Sequence, residues 1–205
     1  MKVAGSVVVV TGGASGLGRA TVEKLVAAGA KVAVFDFNDA AGEALVAALG
    51  DAVFFQKVNV ADEVSVEAAI AATAAHFGAI HVCINYAGVG SATKTLSKKG
   101  VFPLAEFNRV LQVNLVGTFN VLRYAAEQMA KNEIVDGERG VIINTASIAA
   151  YEGQMGQAAY SASKGGVVGM TLPIARDLST YGIRVNTIVP GLIHTPLFDS
   201  LDPNV

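Results

Sequence analysis

The chain has 205 residues, 52% of them hydrophobic and 16% charged, enough to bury one substantial core, so a single domain over residues 1–205 is expected. Lys and Arg number 15 against 17 Asp and Glu, a net charge of −2, which leaves no basic excess to neutralise a run of nucleic-acid phosphates. The single cysteine, Cys83, has no partner for an internal disulfide, and Cys83, His76, His81 and His194 lack the spacing of zinc ligands, so a reducing compartment and no metal site are expected.

The opening MKVAGSVVVV carries one Lys and an apolar run. The run is short and leads into TGGASGLG rather than a cleavage site, so it reads as a first strand and not a signal peptide. The start is neither Arg-rich nor Ser-rich. A cytoplasmic location is therefore expected, the mitochondrial matrix being compatible if a presequence has been removed. The run 7–10 ends in Thr11-Gly12-Gly13-Ala14-Ser15-Gly16-Leu17-Gly18, where glycines allow a tight turn, close approach to a diphosphate and entry into a helix N-terminus. Val22, Leu25 and Val26 follow at helical spacing. The next run, 31–35, ends at Asp36, close to the position from which an acid reaches the ribose hydroxyls of a dinucleotide and repels a 2'-phosphate, favouring NAD over NADP. Gly13 and Gly18 also have the spacing of a nucleotide-triphosphate loop, but Arg19-Ala20 stands where Lys-Ser or Lys-Thr would be needed. No G-x-S-x-G elbow exists to support a serine hydrolase.

Further apolar runs lie at 53–58, 80–84, 141–144 and 183–189, separated by helical patterns such as Val66, Ile70, Ala74 and Phe77, then Phe107, Leu111, Leu115 and Leu122. No run approaches the roughly 20 apolar residues that would cross a bilayer, so no membrane association is expected. Strands that read as nearly continuous apolar runs expect cover on both faces. The grammar predicts an α/β, doubly wound parallel sheet, Rossmann-like, with helices on each side and ligands at the strands' carboxyl ends.

Tyr160 and Lys164 lie four apart in the predicted helix 158–180 and share one face. Such a pair also arises by chance, but Ser147 follows the run 141–144 at a strand's carboxyl end, and Asn114 interrupts the apolar stripe of the helix 107–122, where a buried amide needs partners. A phenol near pKa 10 must drop by about three units, roughly 4 kcal/mol, to act as a base near neutrality. An ammonium about 4 Å away supplies about 1 kcal/mol in water and about 4 kcal/mol at an effective dielectric near 20, so the pair needs a sheltered crevice.

TGGASGLG, Asn85-Tyr86-Ala87-Gly88, Asn114, Ser147, Tyr160-x-x-x-Lys164 and Pro190-Gly191 together resemble, in order, the motifs of the short-chain dehydrogenase/reductase family. The likeness spans almost the whole chain. It implies hydride transfer between a nicotinamide and a carbonyl or alcohol, with Tyr160 as acid/base and Ser147 holding the reacting oxygen. Lys164 would bind the nicotinamide ribose and support Tyr160, and Asn114 would anchor a water that relays protons. It further implies cofactor contacts at Gly12, Ser15, Gly16, Leu17, Gly18, Asp36, Asn85 and Pro190, with Asn59 and Val60 flanking the adenine. Ala87 and Gly88 would underlie its ribose, and Ile193 and Thr195 would hold the carboxamide. Ser15 and Phe37 occupy places where NADP-using relatives commonly carry a basic residue. Asn59 and Tyr86 depart from the family's usual Asp and Asn.

Within the family, residues 140–178 and the inserted segment 91–103 are similar to the short-chain (type II) 3-hydroxyacyl-CoA dehydrogenases. The insert carries Lys94, Lys98 and Lys99, which could meet coenzyme A phosphates or form a solvated loop. Gln157 is a candidate substrate contact or a helix cap. Another secondary alcohol as substrate, and a non-catalytic nucleotide-binding scaffold, are the competing readings. Relatives continue beyond Thr195 into a substrate lid, a helix and a seventh strand. The resemblance thus implies that residues after about 190 begin a lid that is otherwise missing, leaving 183–189 as an exposed apolar edge. It also implies homotetramers paired through the helices of Asn114 and Tyr160, with Val167, Val168 and Phe119 on their apolar faces. Pro173 is expected to bend or interrupt the second of these helices.

Overall fold

The computed structural model describes residues 1–195. In chain order it contains β1 (Val7–Thr11), α1 (Gly16–Ala27), β2 (Lys31–Asp36), α2 (Asp39–Leu49), β3 (Val53–Lys57), α3 (Glu63–Phe77) and β4 (Val82–Asn85). There follow a hairpin of β5 (Leu96–Ser97) and β6 (Gly100–Val101), then α4 (Leu104–Leu111), α5 (Gly117–Met129), β7 (Gly140–Thr145), α6 (Ala158–Ser179) and β8 (Ile183–Ile188). Local chemistry sets several boundaries. The Asn38 side chain accepts from Ala41 N to open α2, Asp62 accepts from Val64 N and Ser65 N to open α3, and Gly78 in the left-handed region closes α3.

The six long strands form one parallel sheet in the order β3-β2-β1-β4-β7-β8. The order reverses beside β1, which opens a crevice above its carboxyl end and that of β4. Alternate residues face opposite layers. Val9, Cys83 and Ile142 join α3, α5 and α6 in one core through Ile70, Leu122 and Ile174. Val8, Val10 and Ile84 join α1 and α2 in the other through Val22 and Leu45. The doubly wound expectation holds.

Several expectations change in detail. The stretch read as one helix around Asn114 is α4 and α5 joined through a π-helical turn at Gln112–Val116. Pro173 does not interrupt α6, which runs from Ala158 to Ser179. The lost backbone bond is offset by packing on both sides of it, where Val167 and Ile174 are buried. Val167 therefore points into the core and not to an intersubunit face, whereas Phe119 and Leu172 are exposed. Among the described residues β8 is the edge strand, but Ile183 and Val185 are buried, so its exposed apolar surface is confined to Ile188 and Val189. The part of the expected lid region after residue 195 lies outside the described residues. No helix among the described residues is long and apolar enough to cross a membrane.

Candidate active site

A cavity of ≈ 1040 Å³ lies at the carboxyl ends of the strands, at the upper end of the range for small-molecule sites. Its floor starts in the β1–α1 turn. Gly12 has φ 63°, and a Cβ there would come within 2.9 Å of Ala87 N; a Cβ on Gly18 would collide with the Gly12 carbonyl oxygen. Only glycine lets these main chains approach so closely. Ser15 makes no side-chain capping bond and no acid stands in the first turn of α1, so the N–H groups at its start are available to an anion and nothing negative competes. The turn is braced by Asp36, whose Oδ2 accepts from Ala14 N at 3.0 Å and whose Oδ1 accepts from Asn38 N at 3.0 Å. A glycine cradle, a helix N-terminus and an acid at the end of β2 together fit the diphosphate and ribose of a nicotinamide dinucleotide.

The cavity wall includes Gly12, Ser15, Gly16, Leu17, Gly18, Asp36, Asn59, Val60, Ala87, Gly88, Ser147, Gln157, Tyr160, Lys164, Pro190, Ile193 and Thr195, so the structure gathers nearly all the sequence-predicted residues in one place. Asn85 and Asn114 are not in that wall. Asn85 ties strands within the sheet through its side chain: its Nδ2 donates to Asn144 Oδ1 at 3.0 Å, and its Oδ1 accepts from Thr11 Oγ1 at 3.5 Å. Asn114, fully buried in the π-helical turn, accepts from Val89 N at 2.8 Å and donates to Val89 O and Ser163 Oγ, both at 3.0 Å. Both of its amide protons are thereby used, leaving one Oδ1 lone pair for any relay water. Gln157 makes no side-chain cap; its Oε1 accepts instead from Gln154 N at 2.8 Å.

Tyr160 and Lys164 share the inward face of α6, with Lys164 Nζ 5.7 Å from the Tyr160 ring centroid. Lys164 is buried and donates to Thr145 O at 2.7 Å. Burial lowers its pKa from 10.5 to about 8, which still leaves it mostly protonated at neutral pH. Burial raises the Tyr160 phenol above its ordinary value, and a hydrogen bond with Ser147 pulls the other way. In the protein alone, burial in the crevice thus favours the neutral phenol. Ser147 stands at the end of β7, held by a bond from Ala149 N to its Oγ at 3.2 Å.

Residues the sequence reading passed over also line the cavity, among them Val89, Gly90, Ser91, Arg109, Val113 and Glu152. Val89 to Ser91 directly continue the Asn85–Gly88 motif, and Arg109 and Val113 are four apart on the helix that leads to Asn114. Their adjacency to motifs was the available clue. Tyr86 packs beside α1, where its hydroxyl accepts from Thr21 Oγ1 at 3.1 Å.

A family model described as short chain dehydrogenase matches residues 6–205. The chain is 55% identical over 207 residues to 3-hydroxyacyl-CoA dehydrogenase type-2 of Homo sapiens, covering 100% of this chain and 79% of that protein. Its structure is similar to that of a 3-hydroxyacyl-CoA dehydrogenase type-2 from Mycobacterium avium, with TM-score 0.88 and 43% identity over 95% of this chain and 77% of that one. It is also similar to levodione reductase, with TM-score 0.85 and 40% identity over 95% and 74% of the respective chains.

Proposed function

The chain belongs to the short-chain dehydrogenase family and is an oxidoreductase of small molecules, and we propose that it moves a hydride between NAD(H) and the 3-hydroxy or 3-keto group of an acyl-CoA. The observation that carries the reading is the convergence of Ser147, Tyr160 and Lys164 on the wall that also holds the glycine cradle. Residues 1–205 form one nucleotide-binding domain in this reading.

A nicotinamide dinucleotide held by the glycine cradle, Asp36 and Lys164 would supply the hydride in reduction and take it up in oxidation. In reduction Tyr160, kept protonated by burial, gives its proton to the substrate oxygen while the Ser147 hydroxyl holds that oxygen in place. The Lys164 ammonium stabilises the phenolate left behind, which is then reprotonated from solvent. In oxidation Tyr160 must start as phenolate, so the Lys164 charge matters most in that direction. Asn114 acts from behind the wall, fixing Val89 to α6 through Ser163.

Two observations support NAD over NADP. The Asp36 carboxylate lines the cavity beside Phe37, and the nearby Lys57 ammonium is engaged by Asp39 at 2.5 Å, so a 2'-phosphate would meet a negative charge without a free cation. An acyl-CoA substrate is supported by the 55% identity to the human relative and by the exposed hairpin segment carrying Lys94, Lys98 and Lys99. The likeness to levodione reductase favours a second reading, a different ketone or secondary alcohol. Homotetramers paired through the helices of Asn114 and Tyr160 fit the exposed Val116, Phe119 and Leu172. A cytoplasmic or mitochondrial-matrix setting would keep Cys83 reduced.

Initial rates with acetoacetyl-CoA and NADH, beside NADPH and a panel of other ketones, test the proposal. A preference for acetoacetyl-CoA and NADH is expected. A strong preference for a ketone without coenzyme A would move the assignment to the second reading, and cofactor binding without turnover of any carbonyl would overturn both.

A further inference from the structure

The segment that follows Val89 leads without regular structure to the hairpin, and nothing in the catalytic set explains what holds it. Glu106, in the first turn of α4, does so with a single carboxylate oxygen: Oε1 accepts from Ser91 Oγ and from Thr93 Oγ1, each at 3.0 Å. Ser91 is buried and lines the cavity. Between the two hydroxyls, Ala92 lies against Gly156 on the loop that leads into α6. Gly156 has φ 83°, and a Cβ there would come within 2.9 Å of the Ala92 carbonyl carbon. Gln154 and Gln157 of that second loop also line the cavity. The two loops therefore meet at one tight backbone contact, and Glu106 fastens one side of it.

We infer that Glu106 is the positioning residue of the substrate-side wall. Its carboxylate pins Ser91 and Thr93, and through Ala92 against Gly156 it holds the two loops together over the reacting end of the crevice. Hydroxyl bonds to a carboxylate are stronger than neutral ones, and two on one oxygen fix both ends of a three-residue arc. Asn114 anchors the same strand exit at Val89, so the connection is held at two places, by the π-helical turn near the cofactor and by α4 near the substrate. Glu106 touches neither cofactor nor substrate in this account; it acts through Ser91 and the loop contact. The inference rests on reading the crevice as that of a carbonyl-reducing oxidoreductase.

The test compares Glu106→Ala and Glu106→Gln with the parent enzyme, using acetoacetyl-CoA reduction, direct titration of NADH, and hydrogen exchange of the amides from Val89 to Thr95. Glu106→Ala should raise the KM for the carbonyl substrate by roughly tenfold, the size of a lost hydrogen bond to a charged group. It should leave NADH affinity unchanged and speed exchange in the segment. Glu106→Gln keeps an acceptor oxygen and should restore most of both. Ser91→Ala combined with Thr93→Val should reproduce the Glu106→Ala effect and add little to it, since all three changes remove the same bonds. Unchanged exchange and KM in Glu106→Ala, equal loss in Glu106→Gln, or an additive combination overturns the inference. A parent enzyme that binds NADH and reduces no carbonyl refutes the reaction instead. Exchange then decides the clamp alone: faster exchange in Glu106→Ala that Glu106→Gln restores supports it, and unchanged exchange overturns it.

Discussion

The nucleotide half of the crevice is shaped by main chain at the ends of β1, β2 and β4, where Gly12 and Gly18 allow backbones to touch and Asp36 braces the turn. The substrate half is held by the Glu106 side chain of α4, which reaches to Ser91 and Thr93, and by the backbone contact of Gly156 with Ala92. The first half belongs to the sheet and inherits its rigidity. The second can vary without disturbing the core, because its ties are few and lie outside both hydrophobic clusters. Under the proposed function, cofactor and substrate recognition are thus mechanically separable, with Tyr160 and Lys164 on the helix where the two halves meet.

The strongest way to break this comparison is to remove the chemistry and ask whether either half notices. Tyr160→Phe deletes only the phenolic oxygen. It should lower kcat by roughly a hundred- to ten-thousandfold, the usual worth of a positioned acid/base, while NADH affinity measured by titration stays near that of the parent. Activity close to normal would remove Tyr160 from the reaction.

Next in size is damage confined to the nucleotide half. Gly18→Val places a Cβ where the Gly12 carbonyl oxygen sits, an overpacking cost of about 1–3 kcal/mol. NADH affinity should fall roughly ten- to hundredfold, and the thermal midpoint should drop. Unaltered NADH binding would mean that the turn is not the cradle. A finer change, Asp36→Asn, removes the charge and keeps one acceptor oxygen, enough for one of the two bonds from Ala14 N and Asn38 N, which Asp36 accepts on different oxygens. It should narrow the preference for NADH over NADPH by about tenfold, read as the ratio of kcat/KM values.

The same division explains what could be read from the sequence. The alternation of β-branched runs and helical spacing exposed the parallel sheet because buried strands must be apolar on both faces. The glycine turn, Asp36, Ser147 and the Tyr160–Lys164 pair were visible because strand ends and helical periodicity fix their positions. Glu106 was not, since a carboxylate in a first helical turn looks like ordinary helix charge until Ser91 and Thr93 are known to lie beside it. The sheet ties of Asn85 were hidden for a related reason: its place in a motif does not reveal that its amide bonds to Asn144 and Thr11. Pro173 carries a local preference that packing around Val167 and Ile174 overrides.

The smallest expected effect lies at the opposite, amino-terminal end of the sheet, away from the crevice. There His81 ties β1 to the approach to β4: its Nδ1 accepts from Val7 N at 3.0 Å, its N–H donates to Val7 O at 2.9 Å, and its carbonyl accepts from Val141 N at 3.0 Å. A protonated Nδ1 cannot accept the Val7 bond, and burial holds the His81 pKa below its ordinary value of 6.5. The folded state thus binds this proton less readily than the unfolded state does. Its contribution to stability is complete above about pH 6.5 and is lost as the pH falls toward the folded-state value. Urea midpoints measured between about pH 7.5 and about 5.5 should decline for the parent. In His81→Asn, whose Oδ1 can take the place of Nδ1 without titrating, the decline over that interval should be smaller. Glu63 and Glu138, held below the ordinary carboxyl value of 4.5 by hydrogen bonds from Arg123 and Arg184, lose their contributions at lower pH and do not mask it. Equal slopes in parent and variant would show that this end of the sheet does not sense the proton, and NADH affinity at pH 7.5 should be the same in both, since His81 lies away from the crevice wall.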